Sequence, residues 1–194
     1  MIQTAPEHVS EIMKAITSGQ VVALPTETVF GLAISLNSAK ALEKLIFLKR
    51  RDLKSGKVFT LVPESRADIE KYAILSKTAR EYISKYIPGE ITLILNKNPD
   101  FSHPYFNHFT TVGIRIPASP LFETLLKDTG PLLLTSANPR GDQPAISSDE
   151  VRRTLPKVDL IVEGRTVEGK LPSTVVDLTG RTPKIIRQGD LKVL

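Results

Sequence analysis

Apolar positions along the chain follow first a helical and then a strand period. Four apolar residues near the N-terminus recur at helical spacing: Val9, Ile12, Met13 and Ile16. Gly19 is placed to end that helix, and the run QVVALP after it predicts a short buried strand. The chain therefore opens with a helix followed by a strand.

The same alternation continues through most of the sequence. Ser38 is placed to cap a second helix whose apolar stripe is Leu42, Leu45, Ile46 and Leu48. Further helices are predicted near 67–72 and 77–86, around 121–127, and after a capping box formed by Ser147 and Glu150. The segments VFTLV, ITLIL, VGIRI and PLLLT have the composition of strands.

Three more apolar segments, DLIVE, TVVDL and KIIRQ, close the chain as predicted strands. The turns between them are too short for helical crossovers, so the sheet is expected to be mixed. No linker or change of composition divides the 194 residues. We therefore expect a single domain over 1–194, of the α/β class, with a twisted open mixed β-sheet flanked by helices.

Composition excludes several classes of site. The chain has no cysteine, which rules out disulfides, a thiol nucleophile and a cysteine-ligated metal. Three scattered histidines are too few for a zinc cluster, so we expect no metal held by protein side chains. No apolar run approaches the roughly 20 residues that span a bilayer, and the N-terminus lacks signal-peptide features. A cytoplasmic protein without membrane contact is predicted.

The charge balance favours anionic partners. Lysine and arginine outnumber aspartate and glutamate by 26 to 21, which gives a formal charge of +5. The segment LKRRDLKSGK, residues 48–57, is especially basic. Nucleotides and RNA both suit such a chain, and net charge does not distinguish them.

The segment TSANPRGDQPA, residues 135–145, indicates a binding site. It ends the apolar run PLLLT in small and polar residues that a packed strand does not need. Ser136, Asn138 and Gly141 offer hydroxyl, amide and exposed backbone N–H groups just beyond the strand. Open α/β sheets bind ligands at this kind of position.

Two groups of basic residues have both a structural and a functional explanation. Lys49 and Arg51 can face one cleft if the helix ends there, but cations at a helix C-terminus also complement its dipole, and spacing alone favours the dipole. Arg115 lies among the apolar residues of VGIRI, where it must meet either a ligand anion or a carboxylate of the protein. No GxGxxG or GxxxxGK[ST] motif is present, so any nucleotide is held in another way.

Seven blocks occur in the order typical of one family: PTETVFGLA, LKRR, PGEITLIL, TVGIRIP, TSANPRG, PSTVVDLT and IIRQG. The sequence thus resembles the YrdC (TsaC) family of threonylcarbamoyl-AMP synthases, of the short single-domain type, with a YrdC/RibB-like fold. The resemblance implies that L-threonine, bicarbonate and ATP give threonylcarbamoyl-AMP and pyrophosphate, with Mg2+ carried by ATP. The product is expected to pass to a tRNA threonylcarbamoyl transferase complex.

The resemblance also assigns residues. Its signature pairs a Lys-x-Arg with a Ser-x-Asn, which makes Lys49, Arg51, Ser136 and Asn138 the expected catalytic set. The expected nucleotide contacts are Lys49, Arg51, Ser55, Thr111, Ser136, Pro144 and Arg187. The expected threonine contacts are Thr28, Thr60, Arg115, Leu134 and Ser173, with Arg115 in a bidentate pair with the threonine carboxylate. Asp52 stands where the family usually has proline, so a different path is expected after Arg51.

Two alternatives remain at the level of sequence. An RNA-binding module of the same fold, contacting tRNA or double-stranded RNA, would use the same lysines and arginines. Aromatic residues for stacking are few and no RNP-type motif is present, which favours the enzyme. A relative that has lost the synthase reaction would not need both signature pairs.

Overall fold

A computed structural model describes residues 6–50 and 58–193. Within them the helices are α1 Pro6–Thr17, α2 Ala39–Leu48, α3 Ile69–Tyr72, α4 Lys77–Tyr86, α5 Pro120–Thr129 and α6 Ser148–Thr154. The strands are β1 Val22–Pro25, β2 Phe30–Ser35, β3 Thr60–Val62, β4 Ile91–Asn96, β5 Thr111–Ile114, β6 Leu132–Ser136, β7 Leu160–Ile161, β8 Thr174–Asp177 and β9 Lys184–Arg187. None of the helices in these ranges has the length and apolar character needed to cross a membrane.

The strands form one sheet in the order β7-β1-β2-β6-β3-β5-β4-β8-β9. β1 and β7, β3 and β5, and β4 and β8 run parallel, whereas the other neighbouring pairs are antiparallel. The expected mixed α/β sheet is thus confirmed. Three of the antiparallel pairs, β2 with β6, β3 with β6, and β4 with β5, lie in the middle of the sheet and not at its edge.

The register carries one row of residues across the centre of the sheet. Pairing is continuous through Leu134, Thr60, Gly113, Ile94 and Asp177. Directly paired residues point to the same side of a sheet, and residues two apart on a strand share that side. One face of the sheet therefore presents residues of β6, β3, β5, β4 and β8 together.

The helices begin and end where local chemistry requires it. Ser38 caps α2, since its Oγ accepts a hydrogen bond from the Ala41 amide at 3.2 Å. At α6, the Ser147 hydroxyl accepts from the Glu150 amide at 3.2 Å, but the Glu150 carboxylate accepts from the Ile146 amide and not from Ser147. The capping box is thus present with its reciprocal bond moved by one residue.

Several predicted strands are shorter than expected, among them VGIRI and DLIVE. Arg115 lies just after β5, although its amide still bonds to the Leu61 carbonyl at 3.2 Å. β7 contains only Leu160 and Ile161 of the segment DLIVE. Placing Arg115 at the end of a strand leaves its side chain directed by tertiary contacts.

Gly189, just after β9, packs tightly against the backbone of the segment before β8. A Cβ atom there would lie 2.4 Å from the Pro172 carbonyl oxygen and 2.8 Å from the Thr174 amide nitrogen, both backbone atoms. We expect Gly189→Ala to lower the free energy of unfolding by about 3 kcal/mol in urea denaturation, because backbone cannot move aside as a side chain does. Gly180→Ala is the control, since its Cβ would have no neighbour closer than 3.9 Å. Equal stability of the two variants would contradict this packing.

Candidate functional site

A cavity of about 720 Å3 lies on the face of the sheet defined by the central row. Alternate residues of neighbouring segments line it: Thr111, Gly113 and Arg115 from β5 and its end, Thr92 and Ile94 from β4, and Ser173, Val175 and Asp177 from β8 and its start. Thr60 and Leu134 complete the row from β3 and β6. The walls come from the loop between β1 and β2 and from the segment after β6.

The edge of the cavity is formed by an irregularity in β9. Val175 pairs with Arg187 and Val176 pairs with Ile185, so Ile186 is an extra residue in a β-bulge. Both Ile186 and Arg187 consequently line the cavity, although neighbouring residues of a regular strand point to opposite faces. An apolar side chain and a cation thus stand next to each other at its mouth.

Lys49 joins helix α2 to the loop after β6. Its ammonium donates to the Ser136 carbonyl at 2.7 Å, to the Asn138 carbonyl at 2.6 Å and to the Asn138 side-chain Oδ1 at 2.8 Å. The Ser136 hydroxyl donates to the same Oδ1 at 2.6 Å, and Asn138 Nδ2 donates to the Asp142 carbonyl at 2.6 Å. Lys49 of the first signature pair and both residues of the second therefore belong to one hydrogen-bond network.

The end of α2 brings Lys49 into this network. The Lys49 amide closes the helix on the Leu45 carbonyl, and Arg50 then takes a φ of +44°, a left-handed conformation unusual for a residue with a side chain. The helix therefore ends where spacing had placed its end. Lys49 is only 5% exposed, so it is not a solvent-exposed cation that merely complements the helix dipole. Arg51 and Ser55 lie outside the described residues.

Arg115 is buried and meets a carboxylate of the protein. Its Nη2 lies 3.0 Å from Glu27 Oε1 and donates to Thr28 Oγ1 at 3.1 Å. The Ala118 amide also donates to Glu27 Oε1, at 3.0 Å. Of the two partners that the sequence left open for Arg115, the structure shows a carboxylate of the protein, Glu27, which the loop between β1 and β2 supplies.

Hydrogen counting fixes the roles of the two threonines in that loop. The Thr26 hydroxyl donates its one hydrogen to the Val29 carbonyl at 2.7 Å. Thr28 Oγ1 must therefore be the donor in its 2.9 Å contact with Thr26 Oγ1, and it accepts from Arg115. The Thr28 hydroxyl hydrogen is thus committed within the protein, and only acceptor capacity remains for a ligand.

Arg187 is held by the start of β8. Its Nε donates to the Ser173 carbonyl at 2.9 Å and its Nη2 to the Ser173 hydroxyl at 3.1 Å, which contacts the Thr92 hydroxyl at 2.9 Å. Although Arg187 stands at the exposed edge of the sheet, protein atoms crowd its guanidinium. Burial lowers the pKa of Arg187, and the charge of Arg115 lowers it further. Two guanidinium groups thus lie close together in one cavity.

The described lining residues include four cations and one carboxylate. The cations are Lys49, Arg115, Arg140 and Arg187, and the carboxylate is Asp177. No cluster of three or more histidine, aspartate or glutamate side chains within the described ranges could hold a metal ion. The charge of the cavity therefore suits an anionic ligand.

The structure brings together most of the residues selected from the sequence. Gly141 lines the cavity, and so do ten of the residues that the family resemblance assigns: Thr28, Lys49, Thr60, Thr111, Arg115, Leu134, Ser136, Asn138, Ser173 and Arg187. Pro144 is not among the lining residues, because the chain has by then turned back to pair the Ala145 amide with the Ala137 carbonyl. Its expected nucleotide contact has no support from this placement.

Sequence reasoning did not single out Thr92, Ile94, Asp177 or Arg140, all of which line the cavity. A signal for three of them existed, since positions two apart on a strand share a face. Thr92 and Ile94 alternate in ITLIL, and Asp177 lies four residues after Ser173. The signal becomes useful only when the order of the strands is known.

Comparison with known proteins identifies the family. The Sua5/YciO/YrdC model, described as "Telomere recombination", matches residues 14–189. The chain belongs to this family. Threonylcarbamoyl-AMP synthase of Vibrio campbellii is 30% identical over 188 residues, which cover 94% of this chain and all of that protein.

Two solved structures extend the family likeness to three dimensions. E. coli YciO matches with a TM-score of 0.86 and 26% identity, over 97% of this chain and 92% of that one. P. abyssi Sua5, crystallised with L-threonine, matches with a TM-score of 0.86 and 26% identity, over 98% of this chain. This chain spans only 56% of that Sua5 protein.

The ion pair between Arg115 and Glu27 in this Sua5/YciO/YrdC protein predicts that removing one partner destabilises the fold more than removing both. Arg115→Met should lower the free energy of unfolding by about 3–5 kcal/mol, because it leaves the Glu27 carboxylate buried without its cation. Adding Glu27→Gln to Arg115→Met should restore at least half of that loss, since no charge is then stranded. Urea unfolding of the single and double variants measures both quantities. An Arg115→Met protein as stable as the wild type would show that the pair contributes nothing.

Proposed function

We propose that the protein is a threonylcarbamoyl-AMP synthase, a nucleotidyltransferase that forms L-threonylcarbamoyladenylate and pyrophosphate from L-threonine, bicarbonate and ATP. The named synthase from Vibrio campbellii and the L-threonine complex of P. abyssi Sua5 support this assignment. Both relatives align with more than nine tenths of the chain.

The observation that carries the proposal is the arrangement of cations in one cavity. Arg115 lies at the end of strand β5, and its guanidinium suits a small carboxylate. Lys49 lies on another side of the cavity, beside Ser136 and Asn138. A reaction that joins an amino acid to a nucleotide needs both anions held in a common space. Arg187, between Ser173 and the cavity mouth, suits the nucleotide.

The chemistry proposed here needs no nucleophile from the protein. The threonine amine attacks the carbon of bicarbonate, which leaves N-carboxythreonine after loss of water. Its new carboxylate oxygen attacks the α-phosphate of ATP, the bond from that phosphorus to the bridging oxygen breaks, and pyrophosphate leaves. The protein holds the two reactants in line and stabilises the charge on the phosphate.

Within that reaction each part of the network has a defined task. Lys49 fixes the loop that presents the Ser136 hydroxyl and adds positive charge beside it. Arg115 and Thr28 hold the threonine, and Arg187 holds the nucleotide. Mg2+ would arrive on the triphosphate, because Asp177 is the only carboxylate among the described lining residues.

We further propose a cytoplasmic role in tRNA modification. The product would be consumed by a separate tRNA threonylcarbamoyl transferase complex acting on the adenosine next to the anticodon. Direct contact with tRNA or double-stranded RNA remains the alternative function, since the same cations would serve it. The two functions give different results in one assay.

Incubation of the purified protein with ATP, bicarbonate and labelled L-threonine should release pyrophosphate and a labelled threonylcarbamoyl nucleotide in equal amounts. Omission of bicarbonate should abolish both, because the carbamoyl carbon comes from it. Liquid chromatography with mass detection identifies the nucleotide. Binding of RNA without any product would favour the alternative function and contradict the synthase.

Lys49→Met should abolish this synthesis and also lower the free energy of unfolding by about 2–3 kcal/mol. The variant removes the charge and leaves the carbonyl oxygens of Ser136 and Asn138 without their donor. Turnover and urea unfolding are measured together, with Lys40→Met, an exposed lysine on the same helix, as the control. Near-normal turnover in Lys49→Met would contradict the role given to this lysine.

A further inference from the structure

Glu27 contacts Arg115 but is not one of the residues that line the cavity. Its oxygen Oε1 contacts Arg115 Nη2 and accepts a hydrogen bond from the Ala118 amide. The other oxygen, Oε2, is buried and has no hydrogen-bond partner in the described part of the chain. A carboxylate oxygen that is buried without a donor is costly, so the position of Glu27 needs an explanation.

The five N–H hydrogens of Arg115 differ in whether the protein supplies an acceptor, and Glu27 is one of these acceptors. The two hydrogens on Nη2 are matched by two acceptors, Glu27 Oε1 and Thr28 Oγ1. Nε is buried and has no partner among residues 6–50 and 58–193. No described residue accepts a hydrogen bond from Nη1, which therefore keeps both of its hydrogens available while the side chain lines the cavity.

We propose that Glu27 is the positioning residue for Arg115, and that it commits Nη2 to the protein so that Nη1 is presented to the carboxylate of the amino-acid substrate. This inference rests on the proposed function, in which that substrate is threonine. A bidentate contact through Nη2 would have to displace Glu27 or Thr28. Contact through Nη1 leaves both in place.

Electrostatics give Glu27 a second reason to be there. Arg115 and Arg187 both line the cavity, where their like charges repel one another and lower the pKa of Arg187. Glu27 attracts Arg115 from the side of the protein and so opposes this repulsion. Its bond to the Ala118 amide fixes the carboxylate to the segment that follows Arg115. The guanidinium is thereby held in one place before any ligand arrives.

Glu27→Gln tests the proposal with little change of shape. The amide oxygen can still accept from Ala118, but the charge that holds Arg115 is lost. Calorimetric titration compares L-threonine with L-threoninol, which lacks the carboxylate, and with ATP. We expect threonine to bind roughly tenfold more weakly, and threoninol and ATP to bind within about twofold of the wild type, because only the carboxylate is recognised through Arg115.

Three further variants complete the test. Glu64→Gln is the control, since Glu64 is a half-buried carboxylate that accepts a hydrogen bond from the Tyr72 hydroxyl and does not line the cavity. In the Arg115→Met background, Glu27→Gln should produce no additional loss of threonine affinity, because its effect passes through the missing guanidinium. Glu27→Asp, which keeps the charge at a greater distance, should show a smaller and still threonine-selective loss.

Each contrary result has one meaning. Equal weakening of threonine and threoninol by Glu27→Gln, or additive losses in the double variant, would overturn the positioning role while leaving the synthase intact. If Glu27→Gln does not fold, the same comparison on Glu27→Asp decides. A wild-type protein that binds ATP but takes up no threonine would overturn the proposed function, and this inference with it.

Discussion

The ammonium of Lys49 holds the site together, because it joins a helix on one side of the sheet to the loop that ends the strand β6. Three oxygens from Ser136 and Asn138 surround it, and the Ser136 hydroxyl is oriented by the same Asn138 side chain. A cation in this place satisfies backbone carbonyls that would otherwise lack donors. The loop can therefore leave the sheet and still be well ordered beside the cavity.

The cavity combines this network with two cations that are held by distant parts of the chain. Arg115 is held by the loop before β2, and Arg187 is held by the segment before β8. Each cation is fixed by protein acceptors before a ligand is present, so little side-chain ordering remains for the binding step. Such preorganisation fits a protein whose proposed catalysis depends on orientation and charge.

The order of helices and strands could be predicted because period and capping residues are local properties, as at Ser38 and Gly19. Ten of the residues that the family blocks indicated also line one cavity. What could not be predicted were partners fixed only by tertiary structure. No local pattern pairs Glu27 with Arg115, and Asp177 and Thr92 become neighbours of the site only through the register of β4 with β8. Burial of Lys49 likewise depends on where β6 ends, a position far away in the sequence.

The bulge in β9 makes the edge of the cavity depend on strand length as well as on composition. Because Ile186 is an extra residue, Ile185 and Arg187 pair with neighbouring positions of β8, and an apolar group and a cation face the same side. Deletion of one residue in β9 would restore the regular alternation of side chains, so that the apolar group and the cation could no longer both face the cavity. Deletions in β9 are therefore expected to be tolerated far less than substitutions among its residues.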